Sequence, residues 1–278
     1  MENLLRKRLA LIKARAREFR PAHGSPTAAE APRTLAEAAP GDERSLGEER
    51  FYLVRRRGAE IAPDAEAVAK RFLDIPGRRS WPLSSLIQDP GPDMAARIRA
   101  GEVCFLDIET TGLTPNTYVF LCGLLFVDGS ELVVEQPFAR DYAEERAILL
   151  YLRETMDRYP MVVTFNGANF DIPFIETRMT VARIKGGRRY QHVDLLDAAR
   201  RAFAGTLANC RLETVERHLR GVARSGDIPG GEIPGAYHDF VRTGNARAIG
   251  RILYHNRMDL LAMVYLVNYL AAPGAARE

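Results

Sequence analysis

In the segment 103–113, two carboxylates, Asp107 and Glu109, end an apolar run just before a Thr-Thr-Gly sequence. Residues two apart on a β-strand point to the same face of the sheet, so both carboxylates are expected on the face opposite Ile108. Like charges held this close need a positive partner, and a hard divalent cation bound by carboxylate oxygens is the usual one. The alternative is a strand that simply ends in acidic surface residues.

Two further acids lie where they could join this pair. Asp171 follows the apolar segment 161–165 and a loop that begins at Asn166. It lies at an edge of the predicted sheet, where loops build sites, although an Asp in this position often only caps the next helix. Asp259 lies in the segment 252–270, which is predicted to be a helix with apolar residues on nearly every side. An Asp inside such a helix is costly unless another group pairs with it.

The elements that would position these acids follow one another regularly after Gly101. The Asp128-Gly129 pair between two apolar runs is a strong hairpin signal. The pattern predicts strands at 103–109, 117–127, 131–138, 161–165 and 192–196, with helices at 141–159 and 172–181. Three antiparallel strands followed by a βαβ-like second half predict an α/β fold, a mixed five-stranded sheet flanked by helices.

The chain divides into four predicted segments. They are a basic amphipathic arm at 1–20, a disordered linker at 21–49, a lead-in at 50–100 that packs on the core, and the main domain at 101–272. The linker assignment follows from a composition rich in Ala, Pro, Gly, Ser and acids, with almost no large apolar residue. The lead-in carries a predicted strand at 50–56, a helix at 64–72 and a short helix at 93–101.

Composition limits the class of protein. The chain has 278 residues and is 46% hydrophobic, which is enough for a sizeable core. No apolar run approaches the roughly 20 residues that a membrane span needs, and basic residues interrupt the N-terminal segment, so neither insertion nor secretion is expected. The three cysteines are far apart and outside any CxxC pair. We expect reduced core cysteines and a cytoplasmic location.

Positive charge is clustered, although the net charge is only +3. Seven Lys or Arg fall within residues 1–20, and three arginines are consecutive at 55–57. Arg188 and Arg189 follow two glycines, which indicates an exposed loop suited to phosphate contacts. Each cluster alone is typical of a solvated face. Together with an acidic metal site, they favour a nucleic-acid partner.

The acidic motifs carry a family resemblance. FLDIETTG at 105–112, N-x-x-x-F-D at 166–171 and the late helical Asp259 resemble motifs I, II and III of the DEDD exonucleases. DIPGGEIPGAYHDFVRTG followed by HNRMD is similar to the YprB-like ribonuclease H-like proteins, which are predicted nucleases. The resemblance covers about residues 101–271 and implies a ribonuclease H-like fold.

The resemblance also implies a function and a set of site residues. It implies hydrolysis of phosphodiester bonds in DNA or RNA by two Mg²⁺ or Mn²⁺ ions, as a 3′-5′ exonuclease. Four metal-binding acids carry over by position: Asp107, Glu109, Asp171 and Asp259. Substrate binding is expected at Thr110, Thr111, Asn166, Arg188 and Arg189. Two other functions stay open, a structure-selective endonuclease with the same fold and a nucleic-acid-binding module without turnover.

The chain departs from the exonuclease pattern at motif III. The subfamilies have Tyr-x3-Asp or His-x4-Asp, whereas here Tyr254 and His255 stand five and four residues before Asp259. At about 100° per residue, His255 lies about 40° from Asp259 around the helix, and Tyr254 about 140° away. We therefore expect His255 to orient or deprotonate the attacking water. The alternative is a histidine that packs against the loop after motif II.

Other polar and aromatic residues have simpler interpretations. Asp194 could lie beside the metal site, but an Asp that ends a strand and caps the next helix is the more common case. Tyr237, Phe240 and Phe174 could stack on bases, yet core packing is the better expectation for each of them.

Overall fold

The computed structural model describes residues 33–75, 99–187 and 190–272. The predicted arm at 1–20 lies outside these residues, as do Arg188 and Arg189 and most of the predicted helix at 93–101. Only the end of that predicted helix is described, and it belongs to a 3₁₀ turn, Ala100–Glu102.

The described strands are β1 (Asp42–Leu46), β2 (Glu49–Arg57), β3 (Val103–Thr110), β4 (Val119–Asp128), β5 (Glu131–Phe138), β6 (Met161–Thr164) and β7 (Gln191–Asp194). The described helices are α1 (Leu35–Ala38), α2 (Ala65–Leu73), α3 (Glu145–Met156), α4 (Asp171–Val181), α5 (Leu196–Ala202), α6 (Leu212–Arg220), α7 (Ile233–Thr243) and α8 (Arg247–Ala271). Further 3₁₀ turns cover Gly58–Glu60, Tyr142–Glu144 and Gly230–Glu232.

These strands form one mixed sheet in the order β1-β2-β5-β4-β3-β6-β7. Strands β1 to β5 pair antiparallel, and β6 and β7 extend the sheet from β3 in parallel. The predicted hairpin at Asp128-Gly129 is present, since Asp128 pairs with Glu131 and Gly129 adopts a φ of +66°. The order of antiparallel and then parallel strands agrees with the sequence prediction.

The predicted count of five strands is wrong, because the sheet has seven. The two extra strands, β1 and β2, come from residues assigned to the linker and the lead-in. Strand β2 pairs with β5, and its side chains Phe51 and Leu53 are buried. Its partner β5 lies more than 70 residues away in sequence. The local pattern of apolar residues does not identify such a distant partner.

The prediction of a disordered linker at 21–49 is also wrong for the part that the structure describes, residues 33–49. Residues 21–32 lie outside the described part, but residues 33–49 contain α1 and β1. The backbone of β1 pairs with β2, the Tyr52 hydroxyl donates to the Ala39 carbonyl at 2.9 Å, and the Arg33 carbonyl accepts from the Ala246 N–H at 2.8 Å. Backbone pairing orders a segment whose side chains bury little apolar surface, so composition alone gave the wrong result.

These contacts predict the effect of two truncations. A chain beginning at residue 47 should melt at a lower temperature than one beginning at residue 33, because it lacks β1 and the Ala39 carbonyl that accepts from Tyr52. Circular dichroism melts of the two truncations measure this difference. Equal melting temperatures would mean that β1 contributes nothing to stability.

Helices cover both faces of the sheet. On one face, α8 packs on β3 and β4, and α2 contributes Phe72 against Phe105 with ring centroids 5.5 Å apart. On the other, α3 packs on β4, with the Tyr151 hydroxyl donating to Glu135 at 2.7 Å. Cys104, Leu106 and Ile108 belong to a core cluster that includes α3 side chains, as strand alternation predicts. Asp107 therefore lies on the face that α8 covers. None of the described helices is long and apolar enough to cross a membrane.

Candidate active site

Motif I and motif II meet through a backbone hydrogen bond. Asp107 and Glu109 are half-buried at the end of β3, and the N–H of Ile108, which lies between them, donates to Asp171 Oδ1 at 3.2 Å. Asp171 is the first residue of α4 and only 5% exposed. Its carboxylate therefore reaches across to β3, which brings the second motif to the first.

Asp194 shapes the loop that delivers Asp171. Asp194 accepts from the N–H groups of Asn166 at 2.7 Å and Ala168 at 3.1 Å, and from that of Leu196 at 3.0 Å at the start of α5. Asn166 has a φ of +65°, in the left-handed region that non-glycine residues seldom adopt. Asp194 thus caps α5, as the sequence suggested, and also holds the tight loop after β6.

Motif III comes from the middle of α8. His255 and Asp259 share one face of this helix, with His255 Nε2 at 3.5 Å from Asp259 Oδ2. Tyr254 faces elsewhere and packs against the second core cluster, the buried side chains on the α8 face of the sheet that include Phe105 and Leu260. Its ring lies 5.5 Å from the Arg257 guanidinium. This placement agrees with the helical geometry that separated His255 from Tyr254.

Sequence reasoning missed three charged residues at the site. The side chain of Arg224 is 2% exposed and its guanidinium contacts three carboxylates: Glu216 at 2.5 Å, Asp259 at 2.5 Å and Asp227 at 3.2 Å. Asp227 Oδ1 also accepts a hydrogen bond from His255 Nδ1 at 2.9 Å. Asp227 lies in the DIPGGEIPG segment that carried the YprB-like resemblance, which was the available signal. Nothing in the spacing of Arg224 or Glu216 marked them.

Burial and crowding raise the pKa values of the motif acids. Burial, with the nearby Asp259, Asp171 and Glu109, raises the pKa of Asp107 well above its ordinary range. Burial raises the pKa of Glu109 to about 8, although His255 opposes the shift. Burial also raises the pKa of Asp171 to about 7, against the lowering effect of the Ile108 N–H. The acids therefore lie close enough together, and far enough from water, to favour a positively charged partner.

His255 responds to the same acids in the opposite sense. Burial lowers the pKa of its imidazole, but the hydrogen bond to Asp227 and the charges of Asp259 and Glu109 more than offset this, and the pKa rises to about 9. The burial of Asp227 is likewise outweighed by its bond to His255, so the pKa of Asp227 is lowered. The two side chains therefore form a charged pair at neutral pH.

The donor set suits Mg²⁺ or Mn²⁺, which prefer carboxylate oxygens. Within residues 33–75, 99–187 and 190–272, however, no three His, Cys, Asp or Glu side chains stand close enough together to make a ready-formed metal site. Asp259 is paired with Arg224, and Asp107 with the amide of Asn256 at 2.8 Å. Binding a cation there would require the carboxylate oxygens of the motif acids to come closer together than they are in this structure.

Two of the other expected site residues, Thr110 and Thr111, lie directly after Glu109. Thr110 donates to the Gly112 carbonyl at 2.7 Å, and Thr111 exchanges two hydrogen bonds of 2.9 Å with the Tyr118 backbone. Both threonines therefore shape the turn that follows Glu109. The aromatic residues considered for base stacking are buried core residues, as the better expectation had it: Tyr237 is 0% exposed, Phe240 7% and Phe174 1%.

The stability of the metal-free protein should fall as pH rises from about 5 to 9. Glu109 loses its proton near 4.5 when unfolded but near 8 when folded, so the folded state binds more protons in that interval. His255, with a pKa raised from 6.5 to about 9, contributes stability below 6.5 that is lost as pH passes 9. Each pKa unit corresponds to about 1.4 kcal/mol.

Thermal melts in EDTA at pH 5.5 and 8.5 test this prediction. The melting temperature should be lower at pH 8.5, and Mg²⁺ should raise it more at pH 8.5 than at pH 5.5, because cations bind the deprotonated acids. A melting temperature that rises with pH in EDTA would show that the acids do not repel one another in the folded chain.

Comparison with known families matches residues 104–271 to the RNase_H superfamily. The chain belongs to the RNase H superfamily. This assignment agrees with the α/β architecture and confirms the resemblance to YprB-like ribonuclease H-like proteins. The RNase H-like chain is 32% identical over 172 residues to YprB, an uncharacterized protein of Bacillus subtilis (strain 168), covering 60% of this chain and 41% of YprB.

Two further similarities are to DNA polymerases. The chain is 29% identical over 159 residues to DNA polymerase 1 of Aeropyrum pernix, covering 50% of this chain and 16% of the polymerase. A solved family B DNA polymerase of Pyrobaculum calidifontis aligns with a TM-score of 0.44 and 17% identity, over 58% of this chain and 24% of that one. The RNase H-like chain thus spans less than half of the length of the curated relatives it matches.

Proposed function

We propose that this protein is a divalent-metal-dependent nuclease that hydrolyses nucleic acid, and that it acts as a 3′-5′ exonuclease with two Mg²⁺ or Mn²⁺ ions. The observation that carries the proposal is the hydrogen bond from the Ile108 N–H to Asp171, which joins motif II to the backbone between Asp107 and Glu109. The raised pKa values of these acids support it, as does membership of the RNase H superfamily. Similarity to DNA polymerase 1 of Aeropyrum pernix supports a nucleic-acid substrate.

Four acids would hold the ions: Asp107, Glu109, Asp171 and Asp259. Divalent ions held there would supply Lewis-acid activation of the attacking water and would offset the charge that develops on the leaving 3′ oxygen. Asp107 would be the central ligand of this set, because Asp259, Asp171 and Glu109 all lie near enough to raise its pKa. Partial burial of these carboxylates lowers the local dielectric, which would strengthen their attraction for cations.

We assign His255 the role of orienting or deprotonating the attacking water. Asp227 accepts from its Nδ1, which fixes the ring and directs Nε2 toward Asp259. Bound cations would offset the acids that now raise the pKa of His255, and so would favour the neutral imidazole that a base requires. Arg224 holds Asp227 and Asp259 in place from a buried position.

Three of the proposed substrate contacts, Thr110, Thr111 and Asn166, lie close to the acids in sequence. The turn formed by Thr110 and Thr111 follows Glu109 directly and suits the terminal nucleotide. Asn166 begins the loop that ends at Asp171, where its strained backbone sets the path of the chain. The contribution of Arg188 and Arg189 to phosphate binding stays a prediction from the sequence.

A cleavage assay on 5′-labelled single- and double-stranded DNA and RNA, with Mg²⁺, Mn²⁺ or EDTA, tests the proposal. A 3′-5′ exonuclease shortens the labelled strand stepwise, needs the metal and stalls on a blocked 3′ end. Internal cuts would identify an endonuclease, and strand binding without product would identify a binding module. A wild-type chain that binds no metal and cleaves no strand would overturn the proposal.

A further inference from the structure

Asn256 lies beside Asp107 of the candidate metal site, and it is the one residue of the HNRMD segment between His255 and Arg257 to which no role has been given. It is 0% exposed, and its side-chain Nδ2 donates to Asp107 twice, to Oδ2 at 2.8 Å and to the backbone carbonyl at 3.2 Å. Its Oδ1 accepts from Gln136 Nε2 at 2.8 Å. The amide therefore links the motif I carboxylate on β3 to a buried side chain on β5.

The chemistry of the neighbours fixes which way this amide points. Gln136 Nε2 also donates at 2.8 Å to the Leu253 carbonyl, which can only accept, so the nitrogen of Gln136 must face α8. Asn256 must then present its oxygen to Gln136 and its nitrogen to Asp107. Gln136 Oε1, in turn, is buried without a hydrogen-bond partner among the described residues. A buried acceptor without a partner lowers the free energy of unfolding. The same network of hydrogen bonds keeps the Asn256 amide in one orientation.

A glycine makes room for this amide. Gly123 on β4 pairs with Asp107 across the sheet, and a Cβ built on it would lie only 2.1 Å from Asn256 Oδ1. Any other residue at this position would push Asn256 away from Asp107. Three strands and α8 thus converge on the single contact between the Asn256 amide and the Asp107 carboxylate.

We propose that Asn256 is a positioning residue that orients the Asp107 carboxylate for divalent cations, and that Gln136 and Gly123 serve to hold it there. The inference rests on the proposed metal site. It adds a residue that contacts a metal ligand, Asp107, and not the ion itself. Partners that orient a metal ligand in this way typically change metal affinity by about 10- to 100-fold when removed.

The test measures Mn²⁺ binding to the full chain by the electron paramagnetic resonance signal of free Mn²⁺. Asn256→Ala should raise the Mn²⁺ dissociation constant by about 10- to 100-fold and raise, to a similar extent, the Mn²⁺ concentration that gives half-maximal cleavage. The matched control is Asn268→Ala, which removes another amide of α8, one that donates to the Val68 carbonyl at 3.1 Å, away from the acids.

A second variant separates positioning from folding. Gly123→Ala combined with Asn256→Ala refills part of the vacated space without a donor, so the melting temperature in EDTA should recover relative to Asn256→Ala while Mn²⁺ affinity stays low. If the wild type binds Mn²⁺ and both Asn256 variants bind it with the same affinity, this inference alone is overturned. A wild type that binds no Mn²⁺ would overturn the proposed metal site and this inference together.

Discussion

Asp107→Asn should abolish cleavage while the chain keeps its fold. The carboxamide has the shape of the carboxylate but carries no charge to bridge two cations, so we expect turnover to fall by roughly 10³-fold or more. Because Asp259, Asp171 and Glu109 all lie near enough to raise the pKa of Asp107, the same change removes repulsion. The melting temperature in EDTA at pH 8.5 should therefore rise as activity is lost.

Turnover with Mg²⁺ and melting temperature in EDTA, measured on one preparation, check both halves of this prediction. The matched control is Asp197→Asn, which neutralises an exposed acid of α5 whose partner is Arg200. The control should cleave at the wild-type rate. Wild-type turnover in Asp107→Asn would exclude the two-ion mechanism, and a large drop in its melting temperature would show that Asp107 stabilises the fold.

His255→Ala should lower turnover by about 10²- to 10⁴-fold with little change in metal or strand affinity, if the imidazole orients or deprotonates water. Its Nε2 lies 3.5 Å from Asp259, and Asp227 holds its Nδ1. Asp227→Asn should give a smaller loss of turnover. The double variant should be no slower than His255→Ala alone, because Asp227 is proposed to act only through the histidine.

Single-turnover rates and melting temperatures of these variants separate catalysis from packing. Tyr254→Phe is the control, because Tyr254 is the neighbouring residue that faces away from Asp259 and packs against the second core cluster. A His255→Ala protein that melts lower but cleaves at the wild-type rate per folded molecule would assign His255 a structural role. Slow cleavage in Tyr254→Phe would move the catalytic role to that tyrosine.

The sequence alone determined the features that depend only on residues close together in the chain. Alternation along β3 set Asp107 and Glu109 on one face, the Asp128-Gly129 pair set the hairpin between β4 and β5, and helical spacing put His255 rather than Tyr254 beside Asp259. Each follows from the conformation of a few consecutive residues. The motif order was also visible, and with it the superfamily to which the chain belongs.

Only the tertiary structure decided which distant groups share the site. Strand β1 formed in a segment whose composition indicated disorder, and the predicted strand at 50–56 became β2 through pairing with β5, a partner that the sequence did not indicate. Arg224 and Asp227 reach Asp259 and His255 because the loop before α7 packs on α8, and Asn256 reaches Asp107 because Gly123 leaves room for it. Such contacts depend on packing between elements, and a linear pattern carries no signal for a partner that only the folded chain brings near.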